Sequence, residues 1–190
     1  MLSYRAVKEE IAKGTIVMKP LNVDCVQPAS IDIHLDNKLP VFKTWRYLLH
    51  VDVKQSTGGL TEPVTIGKDK PFFLNAGDFV LASTPESIAL PDDMVARPTG
   101  RSGSGLIGLL IHSTAGYVVP GMEGHPTLEL SDVARLPVTR YYRMKTGQLS
   151  FFRLTSPAER LCGSPGLGSK YQGRSKATVT RYHEEFAGRR

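Results

Sequence analysis

Apolar positions follow a helical period at the start of the chain and a period of two, or short runs, after it. Over residues 3–13, Val7 and Ile11 lie one turn apart, Ser3 is placed to cap the start, and Gly14 can supply a left-handed stop. That spacing predicts a short N-terminal helix. Ser30-Ile31-Asp32-Ile33-His34-Leu35 then alternates strictly, as does Val51-Asp52-Val53, and both predict half-buried strands. Further short strands are predicted over 71–74, 78–83, 86–90, 94–97, 108–113, 116–119, 126–130, 137–141 and 147–154. Turn-forming stretches such as Asn75-Ala76-Gly77-Asp78, Pro91-Asp92-Asp93 and Pro120-Gly121 fall between them. Many short strands at close spacing argue for a mainly β body, a barrel or jelly-roll-like arrangement. Nothing after residue 14 is long enough for the helix of a βαβ crossover, and no internal repeat is visible.

Composition narrows this to one domain of 190 residues, 41% hydrophobic, which is enough for a core. No apolar run approaches the roughly 18 residues of a membrane span, and the start, MLSYRAVKEE, is too charged for a signal peptide. Cys25 and Cys162 form no CxxC pair. The expectation is a soluble protein of a reducing cytoplasm, with no membrane partner. The net charge is +6, and residues 151–190 hold eight Lys or Arg against three Glu, so +5 of it lies there. Such a tail attracts polyanions, nucleic acid and triphosphates alike. The basic residues are dispersed, and no helix-turn-helix, zinc-finger or RNP signature accompanies them, so a small polyphosphate is preferred over nucleic acid.

Candidate chemistry sits in a few places. Gly103-Ser104-Gly105-Leu106-Ile107-Gly108 matches GxGxxG, but a strand-like run, Leu109 to Thr114, follows where a dinucleotide site needs a helix. What survives is Gly100-Arg101-Ser102-Gly103-Ser104-Gly105, either a simple tight turn or a phosphate cradle of backbone N–H groups, the Ser102 and Ser104 hydroxyls and the Arg101 guanidinium. Glu129, inside the apolar run Thr127-Leu128-Glu129-Leu130, either faces solvent on the polar side of its strand or faces a cleft as a general base with a raised pKa. The Gly/Ser-rich, basic segment 163–176 is either a solvated tail or a lid in which Lys170 and Tyr171 contact an anionic ligand. His112 and His125 have no partner ligands at i+2 or i+4 and are expected to be structural or rim residues, with no metal bound by the protein. The zinc-deaminase signature and the GxSxG elbow are both absent.

Taken together, Gln27-Pro28-Ala29-Ser30-Ile31-Asp32, Gly77 to Thr84, Leu90 to Asp93, Gly100-Arg101-Ser102, His112 to Gly116, Gly124-His125, Thr127 to Leu130 and Gly168 to Gly173 resemble dCTP deaminase sequence. The resemblance runs in order from about residue 1 to 186, closest to the actinobacterial type, some of which also act as dUTPases. It implies a homotrimer of distorted β-barrels of the dUTPase type, a single domain over 1–190 with 163–190 as lid and tail, and active sites shared between subunits. The implied reaction is hydrolytic deamination of a cytosine nucleotide, with Mg²⁺ carried on the phosphates and no catalytic zinc. By position, Glu129 matches the glutamate that activates water, and Ala115 the residue whose carbonyl helps hold it. Arg101 and Ser102 match phosphate-binding positions, and Lys170 and Tyr171 match the closing lid.

The departures cluster where ligand is contacted. An expected serine is Gly103, an expected arginine is Leu106, and the usual Ile-Asp before Pro-Gly is Val118-Val119. Val119 has no acceptor for a sugar hydroxyl or a water. An expected asparagine is Asp132, the Pro-Tyr-Gly of the lid is Leu161-Cys162-Gly163, and the glutamine that approaches the base is Arg174. Rewriting several hydrogen-bonding positions argues for a changed ligand or lost catalysis, since each costs about 1–3 kcal/mol of interaction. A cytosine nucleotide deaminase is the leading expectation. Its rivals are a phosphohydrolase on another or modified nucleotide, in which Glu129 or Asp132 recruits water, and a non-catalytic nucleotide-binding trimer.

Overall fold

The computed structural model describes residues 1–43 and 50–186. The chain opens with helix α1 (Tyr4–Ala12), capped by Ser3, whose hydroxyl accepts the Ala6 N–H at 3.5 Å. Val7 is fully buried, Ile11 packs against the same core, and Gly14 turns the chain away at φ +74°. This is the helix that the spacing predicts.

Fourteen short strands follow among the described residues: β1 (Val17–Lys19), β2 (Val26–Gln27), β3 (Ser30–His34), β4 (Lys38–Phe42), β5 (Thr61–Thr65), β6 (Phe72–Leu74), β7 (Phe79–Ser83), β8 (Ser87–Ala89), β9 (Met94–Gly100), β10 (Leu109–Leu110), β11 (Glu123–Gly124), β12 (Thr127–Asp132), β13 (Val138–Arg140) and β14 (Lys145–Arg153). Every pairing is antiparallel. They form a five-stranded sheet in the order β10-β12-β7-β4-β5, a four-stranded sheet β2-β3-β14-β9, a three-stranded sheet β1-β8-β11 and the pair β13-β6. The body is mainly β and distorted, with no single sheet closing on itself among the described residues. One buried core cluster draws Ile31, Ile33, Leu149 and Phe151 from the four-stranded sheet and Leu39, Val80, Leu128 and Leu130 from the five-stranded sheet.

Three expectations change. Residues 51–53 make no strand: the Asp52 side chain accepts the Lys54 N–H and its carbonyl the Gln55 N–H, and this turn leaves Val51 and Val53 exposed. Residues 116–119 pair with β9 only through a two-bond bridge between Ala96 and Val118. Strand β3 is not half-buried, because its polar face is covered too. Asp32 accepts from Arg101, Lys145 and Gln27 and is almost wholly enclosed. Between β9 and β10, Ser102–Gly105 winds into a single helical turn, α2.

Candidate active site

Strand β12 settles where Glu129 points. Leu128, Leu130 and Asp132 are buried on one face, which puts Thr127, Glu129 and Ser131 on the other. The chain from Ile111 to Ala115 runs beside that second face, tied by the Glu129 N–H donating to the Ile111 carbonyl at 2.9 Å. The backbone N–H of Ser113 donates to Glu129 Oε2 at 2.7 Å, and that of Thr114 reaches the same oxygen at 3.4 Å. Two peptide donors thus orient the carboxylate by one oxygen, and Glu129 lines an adjoining cavity of about 410 Å³. Glu129 thus sits on the polar side of its strand, and that side forms part of the wall of a cavity.

A second cavity of about 340 Å³ opens beside the first. Ala115, Thr127, Tyr171 and Arg174 line both, and Val118, Val119, Cys162 and Lys170 line the second. The segment carrying Lys170 to Arg174 is docked rather than solvated. The Gly173 N–H donates to the Glu123 carbonyl at 2.8 Å, and the His125 N–H donates to the Arg174 carbonyl at 2.9 Å. Gly124 lies opposite at φ +134°, where a Cβ would stand 2.8 Å from the Arg174 carbonyl oxygen. The Arg174 guanidinium lies 3.4 Å above the centre of the Tyr171 ring and donates through Nη1 to Thr127 Oγ1 at 2.8 Å. Burial pulls its pKa down to about 10.

Lys170 is engaged within the chain. Its Nζ meets Glu185 Oε1 at 2.5 Å, and Arg181 donates to its carbonyl at 2.8 Å and to Glu184 at 2.6 Å. The Thr57 hydroxyl donates to the Thr180 carbonyl at 3.0 Å, drawing residues 178–180 over the Glu129 cavity. The basic tail is therefore less of a free polycation than its composition implies, although Arg189 and Arg190 lie outside the described residues.

The phosphate-cradle candidates stand apart. Arg101 Nη1 donates to Asp32 Oδ2 at 2.8 Å, beside Lys145 Nζ at 3.0 Å. Ser102 and Ser104 sit in α2, and neither they nor Arg101 line either cavity around Glu129. Leu106 is 88% exposed. Asp132 faces the core and is fully buried, accepting from the Ala134 N–H, so it cannot recruit water beside Glu129.

Sequence reasoning undervalued three residues. His112 lines the Glu129 cavity with both ring nitrogens buried and unpartnered among the described residues. Thr127 shares the Glu129 face by the two-residue period, a signal already in the sequence. Asp32 aims Arg101, and no local pattern announces that. His125 lines the second cavity, with its Nδ1 2.9 Å from the Thr84 carbonyl. Among the described residues no three His, Cys, Asp or Glu side chains converge as a metal-binding group.

A family model described as dCTP deaminase-like matches residues 1–154. The chain belongs to this family. It is 48% identical over 186 residues to the dCTP deaminase, dUMP-forming, of Nocardia farcinica, covering 98% of this chain and 93% of that protein. The protein of the same description from Mycolicibacterium smegmatis is 47% identical, with 98% of each covered. Among solved structures, the 2'-deoxycytidine 5'-triphosphate deaminase of Agrobacterium tumefaciens superposes with a TM-score of 0.61 at 22% identity, over 80% of this chain and 47% of that one. Native EIAV dUTPase superposes with a TM-score of 0.50 at 14% identity, over 76% of this chain and 93% of that one. These likenesses show the dUTPase-type fold that the resemblance implied.

Proposed function

We propose that the protein deaminates a cytosine nucleotide with a water activated by Glu129. The observation that carries this reading is the Glu129 carboxylate, oriented through Oε2 by the Ser113 and Thr114 N–H groups in the wall of a cavity that Ala115 also lines. In the step, Glu129 takes a proton from water as the water oxygen bonds to C4 of the base. The C4=N3 π pair moves onto N3, which takes that proton from the carboxyl; Glu129 then carries the proton of the new C4 hydroxyl to the amino group, the C4–N bond breaks, and ammonia leaves a C4 carbonyl. In this reading the Ala115 carbonyl helps to hold the water. Mg²⁺ enters as part of the nucleotide, on its phosphates, and the chemistry asks for no zinc.

In this reading residues 1–190 act as one domain, and 163–190 serves as lid and tail, with Tyr171 and Arg174 closing on the ligand. Lys170 joins them once a phosphate replaces Glu185 as its partner. Arg101, Ser102 and Ser104 serve the phosphates of a neighbouring subunit's site in a homotrimer, which accounts for their distance from Glu129. Val118 and Val119 form an apolar wall for the sugar. The protein works on nucleotides rather than nucleic acid, in a reducing cytoplasm where Cys25 and Cys162 stay thiols.

The relatives are named dUMP-forming, which adds loss of phosphate to deamination. With Val119 lacking an acceptor and Asp132 turned into the core, the product expected here keeps its phosphates. Mass spectrometry after incubation with a ribo- and deoxyribonucleotide panel, with and without Mg²⁺, tests this. A gain of about one mass unit on a cytosine nucleotide, abolished in Glu129→Gln, is the expected result. Phosphate loss without that gain would move the protein to the phosphohydrolase reading. Binding without turnover in both proteins would make it a nucleotide sensor.

A further inference from the structure

Of the charged side chains lining the two cavities, Lys170 is neutralised by Glu185 and Glu129 is held by backbone N–H groups. Arg174 lines both cavities and forms no ion pair among the described residues. A partly buried cation without an anion is a standing electrostatic cost, and such charges are retained where a partner arrives. Its donors are also arranged for one. Nη1 is used on Thr127, and the Tyr171 ring fixes the plane of the guanidinium. That leaves Nε and Nη2, whose N–H bonds point the same way as a side-on fork, and Nε is buried without a partner. Arginine has five donors and no acceptor, and such a fork matches two oxygens of one carboxylate or phosphate.

We propose that Arg174 is the specificity-determining residue of this site, seating a two-oxygen anionic group of the ligand where the two cavities meet. The proposal rests on the reading of these cavities as the nucleotide site and names the feature that the preferred nucleotide must carry. The anion is either a phosphate of the nucleotide or a carboxylate on its base. An amino group directed at the same place would meet only donors and be rejected.

Calorimetric titration of the full chain with deoxycytidine, dCMP, dCTP and 5-carboxydeoxycytidine tests this in wild type, Arg174→Gln and Arg174→Lys. Wild type is expected to bind a charged ligand at least about tenfold tighter than deoxycytidine, a gain of the size of one charge-assisted bidentate contact. Arg174→Gln should lose that gain, Arg174→Lys should recover part of it, and deoxycytidine should bind all three alike. Loss confined to dCMP and dCTP identifies the phosphate, and loss confined to the carboxylated nucleoside identifies the base. If Arg174→Gln keeps the gain, or weakens deoxycytidine equally while its melting temperature is unchanged, the proposal fails. Inorganic pyrophosphate separates it from the deaminase reading. Pyrophosphate binding weakened by Arg174→Gln, in a protein that binds no cytosine ligand, upholds the anion role and sinks that reading, whereas cytosine nucleotide binding indifferent to Arg174 does the reverse.

Discussion

At the scale of single residues, the least expected side chain is Arg140. It ends β13 at 1% exposure, with a Thr146 hydroxyl as its hydrogen-bond partner and Nε unpartnered among the described residues. Burial lowers its pKa to about 10, the mark of a guanidinium enclosed with no carboxylate to compensate it. Replacing a buried, poorly compensated charge by an apolar side chain of similar length often stabilises by about 1–4 kcal/mol. Arg140→Met is therefore expected to raise the urea midpoint of unfolding with the slope unchanged, and a lower midpoint would show that the guanidinium has a stabilising role. The sequence predicts a strand over 137–141, but alternation alone gave no reason to turn an arginine inward. Glu129 is the opposite case. Its parity with Thr127 was readable, and what lay across from that face was not, because the facing segment 111–115 reaches it only through the fold.

Among the elements, the strands that pattern missed explain themselves. β4 and β5 each carry a proline, Pro40 and Pro63, which lie opposite each other in the register and weaken the strand signal of both segments. β2 and β11 are two residues long and exist only through partners distant in sequence. The docked segment around Gly173 and Arg174 depends on β11 in the same way. At Gly124, both the positive φ and the approach of the Arg174 backbone exclude a side chain. Gly124→Ala should release residues 163–176 while leaving the body folded, because that segment adds little to the hydrophobic core. The expected result is faster proteolytic nicking within 163–176 and turnover reduced at least about tenfold, with the melting transition displaced by only a few degrees. Nicking at the wild-type rate would show that the segment stays docked despite the clash.

For the whole molecule, the chain presents the expected machinery in two separate places: Glu129, Ala115, Tyr171 and Arg174 around the cavities, and Arg101 aimed by Asp32 elsewhere. If sites are completed between subunits, Arg101→Ala and Glu129→Gln are each inactive alone, and mixing them with subunit exchange restores part of the activity. No recovery, in mixed oligomers confirmed by native mass spectrometry, would place both halves in one subunit's site. The sequence by itself determined the mainly β class, the capped first helix, the face of β12 that carries Glu129, and the family, because local period, turn chemistry and motif order are properties of neighbouring residues. Only the tertiary structure decided that Asp132 is buried, that Lys170 is taken by Glu185, that Asp32 is enclosed by two cations, and that Arg174 stands between two cavities with no ion pair among the described residues. Each of those depends on which charge meets which across long stretches of chain, and such meetings are set by packing rather than by any local pattern.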